Sequence, residues 1–403
     1  MRESFDGVLI AGAGPVGLTL AIHLGAEGVP VLVVEAGSEP SREARASTFH
    51  AATLELLDVL GLAAPLVEQG LIARTFQYRD REEGVIAELD MGVLAADTRF
   101  PYRLQLNQSA LVSLILERLE EYPSVTVEFG TELVAADPAE GHVGIELLDT
   151  SGHRQTINSS YLVGADGAWS RVRTSLGIAF EGITYPERYL VAATSLDLLS
   201  LIGDLSYVNY VGDPEQWYVL LATPQGWRVL FPVPADVTDE DVTDEARVQE
   251  LLRGVVDIGS PWPIQYKQLY RVHQRLASTF NQGRVCLAGD AAHINNPLGG
   301  MGMNSGIHDA VELSRSLAAC VRDGHDPTIL ERYATRRRRV SSEHVNRRTD
   351  RNWSNLREGD PRIRDQQHAY WRSLKETPQR EREYLREASM LTTMPSLDRE
   401  ARP

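Results

Sequence analysis

The apolar residues near the start of the chain fall into two short runs on either side of a helical pattern. VLIAG (8–12) is typical of a central parallel strand, and LTLAIHLGA (18–26) has the spacing of a helix that stops at Gly28. VPVLVVEA (29–36) is a second apolar strand, ending at Glu35. The order of strand, helix and strand predicts a βαβ unit.

Helical and strand patterns alternate through the next part of the chain. We expect an amphipathic helix that ends at Gly61, a helix from about Gln108, and strands around 125–129 and 131–136. Residues 180–282 differ in character: LSYVNYVG, QWYVLLAT and GWRVLFPVP are short strand patterns separated by turn residues. They predict an antiparallel sheet that forms a layer separate from the βαβ unit.

The last part of the chain, residues 331–403, is rich in Arg and helical in pattern. Four consecutive Arg residues (336–339) are read as part of a long surface helix that pairs with acidic residues elsewhere, in preference to a localisation signal.

Composition and charge limit the classes of function. A length of 403 residues predicts at least two domains, and the net charge of −16 argues against nucleic acid or an anionic membrane as a partner. The two cysteines predict no disulfide framework, which suits a reducing compartment. Residues 7–26 carry almost no charge, but five Gly and a Pro argue against a membrane helix. MRESFDG is no basic leader, so a cytoplasmic location is expected.

The turn between the first strand and helix has the pattern G-x-G-x-x-G, formed by Gly12, Gly14 and Gly17. Such glycines allow a tight turn, the approach of a pyrophosphate and close packing of helix on strand, and the helix N-terminus favours phosphate. Glu35 lies near the spacing of an acid that binds ribose hydroxyls. We therefore predict a dinucleotide site, and an acid here leaves both NAD and FAD open.

Two later stretches have related patterns. LVGADGAWSRVR (162–173) and GRVCLAGDAAHINNPLGGMGMN (283–304) each combine a strand with a Gly–Asp or Asp–Gly turn. With GAGPVG, in this order, they resemble the three fingerprints of the class A flavin monooxygenases, the para-hydroxybenzoate hydroxylase-like family. The resemblance covers most of the chain.

The resemblance implies an α/β fold: a Rossmann-type FAD-binding domain, interrupted by an antiparallel-sheet substrate domain and followed by a helical C-terminal region. We assign residues 1–75, 100–180 and 283–330 to the FAD domain, 76–99 and 181–282 to the substrate domain, and 331–403 to the helical region.

The resemblance also implies residues that bind FAD. The positions that match family contacts to the adenosine, pyrophosphate and ribityl parts are Gly12, Gly14, Pro15, Val16, Gly17, Glu35, Ala36, Arg45, Gln108, Val134, Asp166 and Asp290. Those that match the loop around the isoalloxazine ring are Pro297, Gly299, Gly300, Gly302, Met303 and Asn304. We expect the glycines to clear space above the ring, and a helix starting near Asn304 to direct its N-terminus at the ring.

The sequence also contains candidate substrate contacts. His50 is a candidate base or substrate contact, and the carbonyl of Pro297 is expected to face the substrate. Asn296 stands where the family often has Pro, so it is expected to reshape the pocket wall. Tyr218 and Arg228 are candidates to receive an aromatic acid, although strand alternation leaves open that either faces outward. His293, by contrast, is read as structural.

The implied function is hydroxylation of a phenolic or heteroaromatic ring by an FAD monooxygenase that uses NAD(P)H and O₂, through a flavin C4a-hydroperoxide. The sequence has no second G-x-G-x-x-G, which suits transient binding of NAD(P)H, and no metal site is expected. Alternatives are a non-hydroxylating flavin oxidoreductase or an epoxidase of the same fold, and, in another class, a non-catalytic nucleotide-binding regulator. Substrate identity, choice of reductant and state as monomer or homodimer stay open.

Overall fold

The computed structural model describes residues 4–41 and 45–396. In chain order its strands are β1 (Ser4–Ala11), β2 (Val31–Glu35), β3 (Thr48–Phe49), β4 (Leu71–Ala73), β5 (Thr75–Asp80), β6 (Gly84–Asp90), β7 (Arg103–Gln105), β8 (Val125–Phe129), β9 (Thr131–Pro138), β10 (Val143–Asp149), β11 (Arg154–Gly164), β12 (Phe180–Thr194), β13 (Val208–Gly212), β14 (Tyr218–Thr223), β15 (Gly226–Val233), β16 (Ile264–Ala277), β17 (Asn281–Gln282), β18 (Val285–Leu287) and β19 (His293–Ile294).

The α-helices are α1 (Pro15–Ala26), α2 (Ala51–Asp58), α3 (Ala63–Gln69), α4 (Gln108–Leu119), α5 (Arg171–Ser175), α6 (Leu198–Leu201), α7 (Asp239–Thr243), α8 (Glu245–Arg253), α9 (Gly302–Arg322), α10 (Leu330–Val340), α11 (Arg347–Leu356), α12 (Pro361–Leu374) and α13 (Pro378–Ala388). A π-helix, Ser341–Asn346, joins α10 to α11.

The first sheet contains the βαβ unit that the apolar runs predict. Its strands β8, β2, β1, β11 and β18 are parallel neighbours in that order, and β17, β10 and β9 add antiparallel pairs. The central strands are buried on both faces because α1 and α9 pack together against the sheet. The carboxyl ends of β1, β11 and β18 therefore meet at one edge, and each leads into one of the three motifs.

The second sheet has the order β19-β16-β12-β15-β14-β13-β5-β6. Its pairs are antiparallel, as the strand patterns predict, except that β13 runs parallel to β5. One side, here called the inner face, carries Tyr189, Tyr210, Val219 and Leu230, which pack with Leu298 of the third motif. The opposite outer face packs against α8. Strand alternation thus turns one face of this sheet towards the third motif.

A small third sheet, β3-β7-β4, bridges the first two. Thr48 of β3 lies against Gly300 of the third motif, and Arg103 of β7 donates from Nη1 to the hydroxyl of Tyr210 at 3.3 Å. This sheet therefore forms a wall between the third motif and the inner face.

The Arg-rich tail forms α10 to α13, but it is not a plain surface helix. The side chain of Arg337 is fully buried and donates from Nε to Oδ1 of Asp309 on α9 at 2.6 Å. Its Nη2 also reaches the backbone oxygen and the hydroxyl of Ser305, at 3.3 and 3.2 Å. The surface reading is therefore wrong for this residue, because the guanidinium is held inside by a buried carboxylate.

The predicted fold class is confirmed, with a parallel sheet, a mainly antiparallel sheet and C-terminal helices. The division of the chain into domains stays a prediction. Across the described ranges, no helix is both long enough and apolar enough to cross a membrane.

Replacing Arg337 by Ala should lower the free energy of unfolding by about 3–5 kcal/mol, because it leaves the buried carboxylate of Asp309 without its cation. Urea unfolding of the FAD-loaded protein measures this loss. Arg322→Ala is the matched control, since it breaks an exposed ion pair with Glu27 and should change stability little. Equal losses in the two variants would contradict this account of the buried pair.

Candidate active site

The first motif folds into the turn that its glycines predict. Gly12 has φ +105°, and a Cβ there would lie 2.4 Å from the carbonyl oxygen of Ala165. A Cβ at Gly17 would lie 2.0 Å from the carbonyl oxygen of Gly12, so α1 packs directly on the turn. Gly14 differs, because a Cβ there would meet no atom within 4 Å. The protein's own packing thus explains two of the glycines, and Gly14 is left facing open space at the start of α1.

Glu35 ends β2 beside this turn. Its Oε2 accepts from the backbone N–H of Ala13 at 2.8 Å, and its Oε1 accepts from Gly37 at 2.9 Å, while Ala36 between them is exposed. Val134, farther along the same edge, is the additional residue of a bulge in β9. A bulge releases backbone groups from the ladder, which suits the predicted contact of Val134 with adenine.

Arg45 and Gln108 lie together although they are far apart in sequence. The backbone N–H of Gln108 donates to the oxygen of Ala46 at 2.9 Å, and the Gln108 Oε1 accepts from the N–H of Ala46 at 3.4 Å. Arg45 itself is exposed next to this pair. The first residue of α4 thus fixes the segment that carries Arg45.

The second motif places Asp166 in the turn that precedes α5. Its Oδ2 accepts from the N–H groups of Arg171 and Val172, at 2.7 and 3.1 Å, whereas its buried Oδ1 has no partner in the described residues. Burial raises the pKa of Asp166. The third motif places Asp290, which is exposed, directly after β18.

Contact between the motifs brings these groups into one cleft. Val16 of the first motif packs on Gly289 and Gly306, where an added Cβ would lie 2.8 and 2.6 Å from its Cγ2. Asp309 holds the same turn, since its Oδ2 accepts from the N–H of Gly289 at 3.0 Å and from Nε2 of His293 at 2.7 Å. His293 thus has a structural role.

The segment from Pro297 to Asn304, here called the flavin loop, is shaped mainly by the protein's own contacts. Gly299 and Gly300 have φ +113° and +66°, and an added Cβ would lie 2.9 Å from Nδ2 of Asn352 and 3.1 Å from Cβ of Thr48, respectively. A Cβ at Gly302 would approach Asn295. Gly299 and Gly300 are therefore needed for the turn and its packing. The expectation that the glycines of this loop clear space above a ring stays a prediction.

His50 anchors the flavin loop. Its Nε2 lies 2.8 Å from the carbonyl oxygen of Gly299 and must be the donor, because a carbonyl only accepts. Its backbone N–H donates to Oδ1 of Asn304, whose Nδ2 donates to the oxygens of Thr48 and Gly300. Burial, together with the charge of nearby Arg103, lowers the pKa of His50 to about 3.

A histidine with such a pKa is a poor proton acceptor at neutral pH, so the structure does not support the tentative role of His50 as a base. Asn304 also turns its buried side chain to this anchor, and Met303 packs in the core. Only backbone groups of Met303 and Asn304 remain for the predicted contact with the cofactor.

Asn296 joins the third motif to the inner face. Its Nδ2 donates to the hydroxyl of Tyr189 at 3.1 Å, and its Oδ1 accepts from the N–H of Leu298 at 3.1 Å. The carbonyl of Pro297 accepts from the N–H of Gly300 at 2.9 Å and keeps a second lone pair. The residue that departs from the family pattern is thus part of the wall between flavin loop and sheet.

The two predicted substrate contacts on the second sheet face opposite ways. Tyr218 packs on the outer face, with its ring 6.1 Å from that of Phe231, so its proposed contact with substrate is wrong. Arg228 lies on the same side of β15 as the inner-face Leu230 and donates to Oδ1 of Asn107. Arg228 therefore remains a candidate.

Sequence reasoning missed Arg103 and Gln105. Both belong to RLQLN (103–107), in which polar residues alternate with Leu104 and Leu106. The leucines pack in the core of the first sheet, so the polar residues face the wall of the site. This alternation was the available signal. Asp309 was also missed, since nothing local distinguishes it from a surface acid.

These residues fit FAD. Gly14 leaves open space at a helix N-terminus that suits a pyrophosphate, Glu35 suits ribose hydroxyls, and Asp290 is an exposed acceptor at the end of the adjacent strand. No group of three or more His, Cys, Asp or Glu side chains in residues 4–41 and 45–396 could hold a metal ion.

A family model described as an FAD binding domain matches residues 7–348. The chain belongs to the class A flavin-dependent aromatic hydroxylases. It is 36% identical to para-nitrophenol 4-monooxygenase from Pseudomonas sp. strain WBC-3 over 371 residues, which cover 90% of this chain and 91% of that protein.

Two further comparisons agree with this family membership. The chain is 32% identical to 6-hydroxy-3-succinoylpyridine 3-monooxygenase from Pseudomonas putida strain S16 over 351 residues, covering 87% and 88% of the two chains. The crystal structure of p-nitrophenol 4-monooxygenase from Pseudomonas putida DLL-E4 superposes with a TM-score of 0.91 at 32% identity, over 96% of this chain and 99% of that one. This hydroxylase uses FAD, with NAD(P)H as the reductant typical of the family, and the comparisons do not favour the non-hydroxylating alternatives.

Gly14→Ala should leave the stability of the FAD-free protein nearly unchanged, because the added methyl group meets no protein atom and the backbone, at φ −76°, is ordinary for Ala. It should weaken FAD binding by about tenfold or more, since the methyl enters the space for the pyrophosphate. Urea unfolding and FAD titration measure the two effects. Gly17→Ala is the comparison and should destabilise the FAD-free fold itself. An unaltered FAD affinity in Gly14→Ala would remove this turn from the cofactor site.

His50→Gln keeps an N–H donor for Gly299 but removes a titrating group. The pKa of His50 is lowered from 6.5 to about 3. Its contribution to the free energy of unfolding is therefore fully present above pH 6.5 and is lost as pH falls, because only the unfolded chain takes up the proton. Between about pH 7.5 and 5.5 the wild type should thus lose about 1.4 kcal/mol more unfolding free energy than the variant. Urea unfolding at both values measures this, and parallel losses would show that His50 titrates normally.

Proposed function

We propose that this hydroxylase acts on a phenol or a hydroxylated heteroaromatic ring that lies between the flavin loop and the inner face of the second sheet. The observation that carries this proposal is the hydrogen bond between Asn296 and Tyr189, because it brings the loop and the sheet to a common wall. The relatives named above act on a nitrophenol and on a hydroxylated pyridine, and both substrates fit this description.

Bound FAD would supply the transfer of electrons from NAD(P)H to O₂ and of one oxygen atom to the ring. The chain's residues position the partners. Gly14, Glu35 and Asp290 would hold the nucleotide and ribityl parts, and the positive end of the α9 dipole, which lies in the flavin loop, would stabilise negative charge on the bound cofactor. The second lone pair of the Pro297 carbonyl is free to accept a hydrogen bond from a substrate hydroxyl.

We also propose a cytoplasmic location and a monomer or homodimer. The first rests on the two cysteines, Cys286 and Cys320, which are buried free thiols. The acidic net charge supports a partner set without nucleic acid.

The test of the proposed function uses the purified FAD-loaded protein. It should show flavin absorbance and oxidise NADH or NADPH faster when a suitable phenol or hydroxypyridine is added. Mass spectrometry should detect a product that gains one oxygen atom, labelled when ¹⁸O₂ is supplied. Oxidation that yields only hydrogen peroxide with every ring tested would instead support a flavin oxidoreductase, and a protein that binds no FAD would overturn the assignment.

A further inference from the structure

Three polar side chains of the RLQLN segment point to the space beside the inner face. Arg103 donates to the Tyr210 hydroxyl at 3.3 Å, Gln105 accepts from Oγ1 of Thr48 at 3.0 Å, and Asn107 accepts from Arg228. The segment thus presents hydrogen-bonding groups to both sides of the wall formed by the third sheet.

Two of the cations at this wall are buried without a counter-ion. Arg103 and Arg228 are only 4% and 6% exposed, and neither lies within ion-pair distance of a carboxylate of the described residues. The Nε of Arg103 and the Nε2 of Gln105 are also buried donors with no partner in the part of the chain that the structure describes. The Arg103 guanidinium also lies over the Phe76 ring, 3.9 Å from its centroid, which stabilises the cation but does not neutralise it. Burying a charge that has no counter-ion is costly, so this pattern favours an anionic ligand.

The surface between the two guanidinium groups is apolar. Tyr210, which contacts Arg103, pairs with Val219 across the sheet, and Val219 pairs with Leu230. The next row on this face pairs Leu221 with Arg228. Leu221 and its inner-face neighbour Val191 are only partly buried. An apolar floor with a cation at either side suits a flat ring that carries negative charge.

The polar side chains near this space include several that are poor bases. The pairing of the strands places Tyr210 of β13, Tyr189 of β12, and Tyr266 and Tyr270 of β16 on the inner face, and His50 at the start of α2 lies near Arg103. His50 has a lowered pKa, and burial raises the pKa of Tyr189 and Tyr270. Arg348 is paired with Glu387. A substrate hydroxyl thus finds two cations here, whereas His50, Tyr189 and Tyr270 are poorly suited to take its proton.

We propose that Arg103 and Arg228 bind the aromatic substrate as its anion, so that the site selects phenols and hydroxylated heteroaromatic rings that are already ionised in solution. Arg103 is the new residue in this assignment, and it determines specificity through its unpartnered donor. The proposal rests on the proposed function but concerns binding, which is measurable without turnover.

The first test measures the dissociation constants of para-nitrophenol and unsubstituted phenol from the FAD-loaded wild type across pH, from the change in flavin absorbance. Binding should tighten as pH rises and level off near the pKa of each ligand, so the inflection should move with the ligand. An ordinary phenol ionises near pH 10, and a nitro group makes it more acidic. An inflection at the same pH for both ligands would overturn the proposal. So would a neutral form that binds as tightly as the ionised form of the same ligand.

The second test uses variants. Arg103→Gln should weaken binding of para-nitrophenolate by about 10- to 100-fold, the effect of losing a hydrogen bond to a charged group. It should leave binding of para-nitroanisole, the neutral methyl ether, within about twofold of wild type. Arg103→Lys should restore part of the loss because it keeps the charge but not the fork of donors. Arg322→Gln, at an exposed ion pair far from the wall, should bind both ligands like the wild type.

Equal weakening for the phenolate and the ether would mean that Arg103 is only structural and would overturn the proposal. If Arg103→Gln does not fold, Arg228→Gln and the wild-type pH profiles carry the test. Failure of this proposal is distinct from failure of the proposed function. If the protein hydroxylates a ring but the inflection in binding does not move with the pKa of the ligand, the anion site alone is rejected. If the inflection moves with the ligand but no ring is hydroxylated, the anion site is supported and the proposed function is rejected.

Discussion

The site depends on the buried carboxylate of Asp309. It accepts from the backbone N–H of Gly289, from Nε2 of His293 and from Nε of Arg337, and so it joins the end of β18, α9 and α10 at one point. Burial alone would raise its pKa, but the charges and hydrogen bonds of His293 and Arg337 outweigh that effect and hold the pKa at about 2. An ionised Asp309 thus fixes the turn that presents Asp290 and also the helix that follows the flavin loop.

Two sets of contacts hold the flavin loop, which lies between this turn and the inner face. At its far end the flavin loop is held by His50 and Asn304, and at its near end by the bond between Asn296 and Tyr189. The loop therefore has a fixed position relative to the inner face, where Arg103 and Arg228 lie. A rigid mount of this kind suits chemistry in which a ring and a cofactor must meet in one geometry.

The sequence predicts those parts of the fold that local patterns control. The βαβ unit, the order of the three motifs and the short strands of the second sheet follow from spacing and alternation, as does the FAD-type turn at Gly12 and Gly17. Contacts between distant residues could not be predicted in this way. His50 meets Gly299 across 249 positions, and that contact, together with burial, makes it an anchor in place of a base. The face of the sheet on which Tyr218 lies depends on which alternate residues of β14 point to the site. A short apolar run does not determine this.

The central claim is that an anionic ring lies between the flavin loop and a wall with two buried cations that have no counter-ion among the described residues. The most direct measurement is a crystal structure of the FAD-loaded protein with para-nitrophenolate bound. The account predicts the ring over the inner face beside Val219 and Leu230, with an oxygen within hydrogen-bond distance of Arg103 or Arg228 and the ring close to the Pro297 carbonyl. A ring bound elsewhere, or both guanidinium groups turned away from it, would contradict the account.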